Sequence, residues 1–299
     1  MYDIIVVGAG PAGLVSALYA RRAGKSVCVL EKATFGGQIT YSPKVENIPG
    51  FLSVSGNEFA EKLVEQVLEQ GAEVECCEVL EIRDGEIKTV ITDSGEFAAK
   101  TVIIATGAKH RMLGLDREEQ FVGEGISFCA VCDGAFYEGK DVAVIGGGNS
   151  ALQEAILLSE TSRKVYVVQN LDFLTGEKKL CEQLEAKENV EIILGTVVEG
   201  ILGDNTLTGI TVKKTADGSV FDLKVDGMFV AIGLVPQNDS FKNLLCLDER
   251  GYADSLENCL TKTPGVFVAG DCRKKDIRQV TTAVADGATA ALAAIKYLD

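Results

Sequence analysis

Apolar positions along this chain fall into short unbroken runs, each followed by a glycine-rich turn and then by a stretch with helical spacing. Ile4-Ile5-Val6-Val7 is the first such run, as a strand buried on both faces requires. Gly8-Ala9-Gly10-Pro11-Ala12-Gly13 follows at once, Leu14 to Ala23 reads as a helix, and Val27-Cys28-Val29-Leu30 is a second strand ending at Glu31. Strand, glycine turn, helix, strand and terminal acid together form a complete βαβ dinucleotide fingerprint: the turn and helix N-terminus let a pyrophosphate approach, and Glu31 can accept hydrogen bonds from a ribose. The pattern then returns, with Val142–Ile145 as strand, Gly146-Gly147-Gly148-Asn149-Ser150-Ala151 as turn, Leu152 to Ser159 as helix and Val165–Val168 as strand.

Between and after the two copies, Leu63 to Gly71 has helical spacing, and Val79–Arg83 with Lys88–Thr92 reads as a hairpin turning at Asp84-Gly85. Val102–Gly107, Met228–Gly233 and Phe267–Asp271 read as further strands ending in small-residue turns. The expected fold is α/β, with two Rossmann-like (three-layer ββα/βαβ) nucleotide-binding domains. The first is discontinuous, residues 1–113 with 243–299, and encloses the second, 114–242.

Composition narrows the functional classes. The chain has 299 residues, 46% of them apolar and 24% charged, which is ordinary globular material. Its net charge of −15, from 29 basic and 44 acidic side chains, argues against general binding to nucleic acid or to an anionic membrane. No apolar run has the length of a membrane span. Met1-Tyr2-Asp3 leads straight into the first strand without a basic leader or cleavage site, so the expected location is cytoplasmic. Nine cysteines without a secreted framework's spacing are expected to be mostly reduced and buried.

Cys129-Ala130-Val131-Cys132-Asp133 stands apart from this pattern. Two cysteines three apart share a face of a helical turn, where their sulfurs can close a small, readily cycled ring. A carboxyl beside them can move the proton when the bond opens. Half of a zinc site, or two small buried apolar residues, is the alternative. Zinc needs four ligands, however, and the chain has no second pair with this spacing and a single histidine, His110.

The Gly8–Gly13 turn, Gly36-Gly37-Gln38, Ala105-Thr106-Gly107, Cys129–Asp133, the second glycine turn, and Gly270-Asp271 followed by Arg278-Gln279 occur in the order of the low-molecular-weight thioredoxin reductases, which this chain resembles along its whole length. The resemblance implies an FAD domain, a nucleotide-type domain carrying the dithiol, and a homodimer. It assigns the FAD pyrophosphate to Gly8, Gly10, Pro11, Ala12 and Gly13, and the ribose to Glu31 with Lys32. It also assigns Gly37, Gln38, Asn47, Thr106 and Gly107 to the flavin, and Gly270 and Asp271 to the ribityl chain. Arg278 follows, and Gln279 and Val280 meet the pyrimidine edge, where a helix N-terminus suits the negative charge of a reduced ring. Cys132 faces the flavin by this resemblance, Cys129 attacks the partner protein, and Asp133 handles the proton. Arg111–Leu115 and Asp239–Asn243 correspond to the connectors about which the family's second domain turns.

One departure bears on the electron donor. NADPH-dependent members follow the strand equivalent to Val165–Val168 with a His-Arg-Arg segment and a later Arg, whereas here the positions read Gln169, Asn170, Leu171 and Thr175. Each lost charge-assisted hydrogen bond to a 2′-phosphate is worth roughly 1.5–3 kcal/mol. Lys178 and Lys179 lie further along an expected helix, Gln169 replaces the acid that would hold an unphosphorylated ribose, and Gln153 stands where relatives often carry Glu. In this the chain resembles the ferredoxin-dependent flavin thioredoxin reductases, which implies reduced ferredoxin as donor and thioredoxin or a thioredoxin-like protein as acceptor, with NADPH binding doubtful. Arg273-Lys274-Lys275 is the candidate docking patch for an acidic carrier. An NAD(P)H-dependent thioredoxin reductase, an FAD-dependent small-molecule dithiol oxidase and a non-catalytic flavin redox sensor stay open as alternatives.

Overall fold

The computed structural model describes residues 1–42 and 44–299. Its helices are α1 (Pro11–Arg22), α2 (Gly56–Glu69), α3 (Ala130–Asp133), α4 (Asn149–Ser159), α5 (Lys178–Glu185) and α6 (Val280–Leu298). The chain forms two compact units, Met1–Lys109 with Val235–Asp299, and His110–Leu234. Both boundaries thus fall earlier in the chain than the expected 113 and 243, for a packing reason. Phe241, Leu244 and Leu245 are buried in the core of the first unit beside Ile5, Val7 and Val268, whereas Leu113 packs on the core of the second.

In the first unit the strand Tyr2–Val7 lies in parallel between Val27–Glu31 and Gly95–Ile104, and Glu73–Cys76 extends the sheet beyond Val27–Glu31. Gly95–Ile104 is longer than its sequence pattern suggests because its two halves pair differently. Residues 95–99 join the antiparallel hairpin Lys88–Thr92 and Val79–Arg83, and residues 102–104 take Val266–Val268 in parallel. Ile4, Ile5, Val6, Ile103 and Phe267 are wholly inaccessible to solvent. Burying each such side chain stabilises the fold by roughly 1.5–3 kcal/mol, which explains the unbroken apolar runs.

The unit's helices start where the local chemistry dictates. Pro11, whose ring presets φ and whose missing N–H is no loss there, opens α1. α2 begins at Gly56, earlier than the apolar spacing from Leu63 indicates, because the Ser55 hydroxyl accepts the Glu58 N–H and caps it. A reciprocal capping box between Gln279 and Thr282 opens α6. α1 and α6 pack through small residues: a Cβ on Gly287 would strike the Ala12 carbonyl, and the Ser16 hydroxyl donates to the Gly287 carbonyl at 3.0 Å.

The second unit carries a five-stranded parallel sheet in the order Val190–Ile193, Lys164–Val168, Asp141–Ile145, Gly227–Val230, Ile126–Ser127. Gly227–Val230 stops short of the expected end at Gly233. Thr196–Leu202, Gly209–Lys214 and Val220–Leu223 form a separate antiparallel sheet. Among the described residues no helix is long and apolar enough to cross a membrane.

Candidate functional site

The glycine turn of the first unit is shaped by contacts that admit no side chain. Gly8 has φ +102°, and a Cβ there would strike the Ala105 carbonyl, while a Cβ on Gly13 would strike the Gly8 carbonyl. Gly10 precedes α1 as its N-cap and Pro11 is its first residue, so the helix opens with bare backbone and no side-chain cap. Ala12 is buried and sets the approach of Gly270, whose Cβ would fall 2.8 Å from that of Ala12. Gly37 (φ +64°) closes on Gly10, where an added Cβ would lie 3.2 Å from the Gly10 Cα.

At the end of the second strand both Glu31 carboxylate oxygens accept backbone N–H groups, from Ala9 at 2.7 Å and Ala33 at 2.9 Å. These bonds fix the carboxylate at the rim of a cleft of about 140 Å³ lined by Gly8, Glu31, Lys32, Glu78 and Thr106. Lys32 is exposed and ion-paired with Glu78 at 3.1 Å. Elsewhere in the unit, Gln38 donates to the Ala108 carbonyl, the Asn47 amide donates to Gln279 Oε1 at 3.2 Å, and Gly107 follows Thr106 with φ +68°.

Among the described residues, three buried side-chain oxygens of this unit lack a hydrogen-bond partner, Thr106 Oγ1, Asn238 Oδ1 and Asp271 Oδ1. A buried orphan of this kind is costly unless a ligand or water satisfies it. Burial raises the Asp271 carboxyl above its usual range, with Lys275 and Arg278 opposing the shift, and the nearest Lys275 atom stands 3.7 Å away. Arg278 lies over the Tyr252 ring at 4.1 Å and donates to the carbonyls of Asp271 and Arg273, so it braces the loop. Gln279 and Val280 form the start of α6. Bare glycine backbone, a ribose-type carboxylate, unpaired acceptors and two helix N-termini fit an FAD: Gly8–Gly13 would hold its pyrophosphate, Glu31 its ribose, and Asp271 its polyol chain.

The proposed docking patch needs correction. Arg273 is buried, its guanidinium bonded to Asp286, Ser255 and the Leu256 carbonyl, and Lys275 is paired with Asp286 at 3.0 Å. Internal acids had already claimed two of the three cations, which leaves Lys274 as the exposed one.

In the second unit Cys129 and Cys132 are joined by a disulfide, with Cα atoms 5.3 Å apart, and α3 begins between them. The Cys132 N–H donates to Cys129 Sγ at 3.2 Å, and Val131 between the cysteines is exposed. Asp133 turns inward, where the Ser127 hydroxyl donates to its Oδ2 at 2.6 Å and its Oδ1 is buried without a partner. Burial raises its carboxyl above the usual range, and Ser127 partly offsets this. His110 stacks on Phe128 at 4.5 Å, and burial pushes it down to about 4, so it is neutral at physiological pH. Among the described residues no three His, Cys, Asp or Glu side chains gather as a metal site would need.

Sequence reasoning missed Ser127, Glu118 and Glu154. Glu118 is buried and accepts the N–H groups of Leu113, Gly114 and Leu115, fastening the segment expected to act as a connector. A capping-type acid near a Leu-Gly-Leu turn was the available signal for it. Glu154 lies on α4, which packs against α3, and no local pattern marks it.

Two nucleotide-type folds, one of them carrying an adjacent dithiol and acid, define a pyridine nucleotide-disulphide oxidoreductase. The sequence pattern of that family matches residues 2–287, and the chain belongs to it. Within the family it is a disulfide oxidoreductase of the thioredoxin reductase type. It is 41% identical to thioredoxin reductase of Listeria monocytogenes over 100% of this chain and 94% of that one, and 42% identical to a 34.2 kDa protein in the rubredoxin operon of Clostridium pasteurianum, over 99% and 97%. The crystal structure of thioredoxin reductase from Streptococcus pyogenes is similar with a TM-score of 0.94 at 40% identity, covering 100% of this chain and 98% of that one.

Proposed function

We propose that this protein is an FAD-dependent reductase of thioredoxin or a thioredoxin-like protein that draws its electrons from reduced ferredoxin, and that it works as a homodimer in the cytoplasm. The supporting observation is the end of the strand Lys164–Val168. Gln169 is buried, bonds the Phe173 carbonyl at 3.3 Å and packs over Gly147, while Asn170, Leu171 and Thr175 are exposed and uncharged. Lys178 extends into solvent, with Glu182 at 3.7 Å. Nothing cationic stands at the positions that would grip a 2′-phosphate.

FAD, when bound, accepts electrons singly or in pairs and supplies a pair to a disulfide. The residues then have distinct tasks. Glu31 and the Gly8–Gly13 backbone orient the nucleotide half, and the N-terminus of α6 at Gln279 and Val280 presents positive partial charge. Cys129 and Cys132 hold the electron pair as thiols, Cys129 attacks the partner's disulfide, and Asp133, whose carboxyl burial raises above its usual range, moves a proton to or from a sulfur.

Anaerobic addition of NADPH, NADH and photoreduced ferredoxin in turn, followed by flavin absorbance, tests the donor. Bleaching by ferredoxin is expected, and rapid bleaching by micromolar NADPH would overturn this assignment. A second reading, NAD(P)H as donor, is favoured by the intact Gly146–Asn149 turn opening α4 without a side-chain cap and by the description of the family as pyridine nucleotide-disulphide oxidoreductases.

A further inference from the structure

Behind the dithiol lies a second carboxyl that the reaction outlined above does not use. Glu154 is carried on α4, the helix that packs against α3. The backbone N–H of Ala130, the residue between the cysteines that starts α3, reaches its carboxyl. Its Oε2 is buried without a hydrogen-bond partner, as is Asp133 Oδ1. One short helix bearing the disulfide is therefore flanked by two half-satisfied acids.

We propose that Glu154 is a positioning residue that acts through Asp133, and that the two carboxyls hold a single proton between them for the opening and closing of the Cys129–Cys132 bond. This rests on reading those cysteines as the working dithiol. Two negative charges in so dry a place repel each other, so the pair sheds its protons in two steps. Asp133, stabilised by the Ser127 hydroxyl, ionises first. Its charge then adds to burial in holding the proton on Glu154, which is pushed up to about 7, and the Ala130 N–H is the one neighbour opposing this. Tyr137 also faces Asp133, but it is raised to about 12 by burial and by Asp133, Glu124 and Asp226, and stays neutral throughout.

When the bond opens, two electrons enter it from a two-electron reductant. One sulfur takes the proton held by the pair and becomes a thiol, and the other remains a thiolate. With a small dithiol as reductant, that molecule closes to its own disulfide and releases its protons to water. Closing the bond on a partner's disulfide runs the same proton back.

Alkylation of the dithiol tests this without flavin turnover or any electron carrier, so failure of the donor assignment leaves the result unaffected. Holoprotein reduced with dithiothreitol is treated with iodoacetamide from about pH 5 to about pH 9, and modification of Cys129 and Cys132 is followed by peptide mass spectrometry. In the wild type the rate should depart from a single thiol titration, with a second inflection near 7. Glu154→Gln, which keeps the shape and the Ala130 contact, should remove that inflection and raise the rate several-fold above it. Coincident profiles would overturn the proposal. Should Glu154→Gln fail to fold, infrared difference spectra of reduced minus oxidised wild type at about pH 6 decide: loss of a protonated-carboxyl band supports it, and no carboxyl change overturns it.

Discussion

Arg273 Nη1 lies 2.6 Å from Asp286 Oδ1, and both side chains are almost wholly withdrawn from solvent. The pair joins the loop after Asp271 to α6, and the guanidinium donates further from Nε to the Ser255 hydroxyl and from Nη2 to the Leu256 carbonyl. Removing Arg273 leaves Asp286 with Lys275 as its one cation and unpairs Ser255 and the Leu256 carbonyl, at a cost of up to about 3–5 kcal/mol. Arg273→Ala should therefore lower the thermal unfolding midpoint sharply and release flavin, whereas Lys274→Ala should do neither. Calorimetry and the ratio of visible to ultraviolet absorbance check both.

Gly13→Ala should abolish flavin retention. The new methyl meets the Gly8 carbonyl, which is backbone and cannot swing aside. Gly24→Ala is the control: it too has a positive φ (+77°), but a Cβ there touches nothing, so only strain of about 1 kcal/mol is expected. Flavin content of the purified variants separates the two.

Glu154 makes stability depend on pH. Its folded-state value, about 7, lies above the ordinary 4.5, so its contribution is fully present below about 4.5 and is lost as the pH rises through 7. Glu154→Gln should be more stable than wild type at pH 8 by about 2 kcal/mol, and the advantage should shrink toward pH 5. Urea unfolding at the two pH values measures it.

Restoring charge after the strand Lys164–Val168 should restore a phosphate grip. Asn170, Leu171 and Thr175 are exposed, so arginines there need no repacking. The triple substitution N170R/L171R/T175R should raise affinity for NADPH over NADH at least about tenfold, since each charged hydrogen bond contributes about 1.5–3 kcal/mol. Fluorescence titration with both nucleotides is the measurement.

Burial pushes the thiols of Cys28, Cys259 and Cys272 up, to about 12, 11 and 11. In the oxidised native protein only the exposed Cys76 and Cys246 should react quickly with iodoacetamide. Mass spectrometry after brief labelling should find Cys28, Cys259 and Cys272 modified only in denaturant.

Periodicity and turn chemistry carry much of this molecule. The runs Ile4–Val7 and Val142–Ile145 are strands because apolar residues without alternation can only be buried on both faces, and the glycines after them are demanded by backbone contacts. The spacing of Cys129 and Cys132 likewise shows in the chain itself. What escaped lies between residues distant in sequence. Arg273 looked like surface charge until Asp286 on α6 met it, and Gln169 looked merely uncharged until it turned inward over Gly147. Glu154 stands more than twenty positions after the dithiol, and only the packing of α4 on α3 brings it near. The start of α2 does not show in the apolar spacing because Ser55, a polar cap, carries no apolar signal.

The first unit is sewn from both ends of the chain, with Val266–Val268 completing its sheet and α6 covering α1. During synthesis the inserted unit, residues 110–234, has all its strands available while its host still lacks an edge and a helix. The host's cradle for the nucleotide can be assembled only once the final helix has left the ribosome. Cofactor loading is thereby deferred to a finished polypeptide, and a nascent chain stalled before Val266 would carry a dithiol with no flavin to serve it.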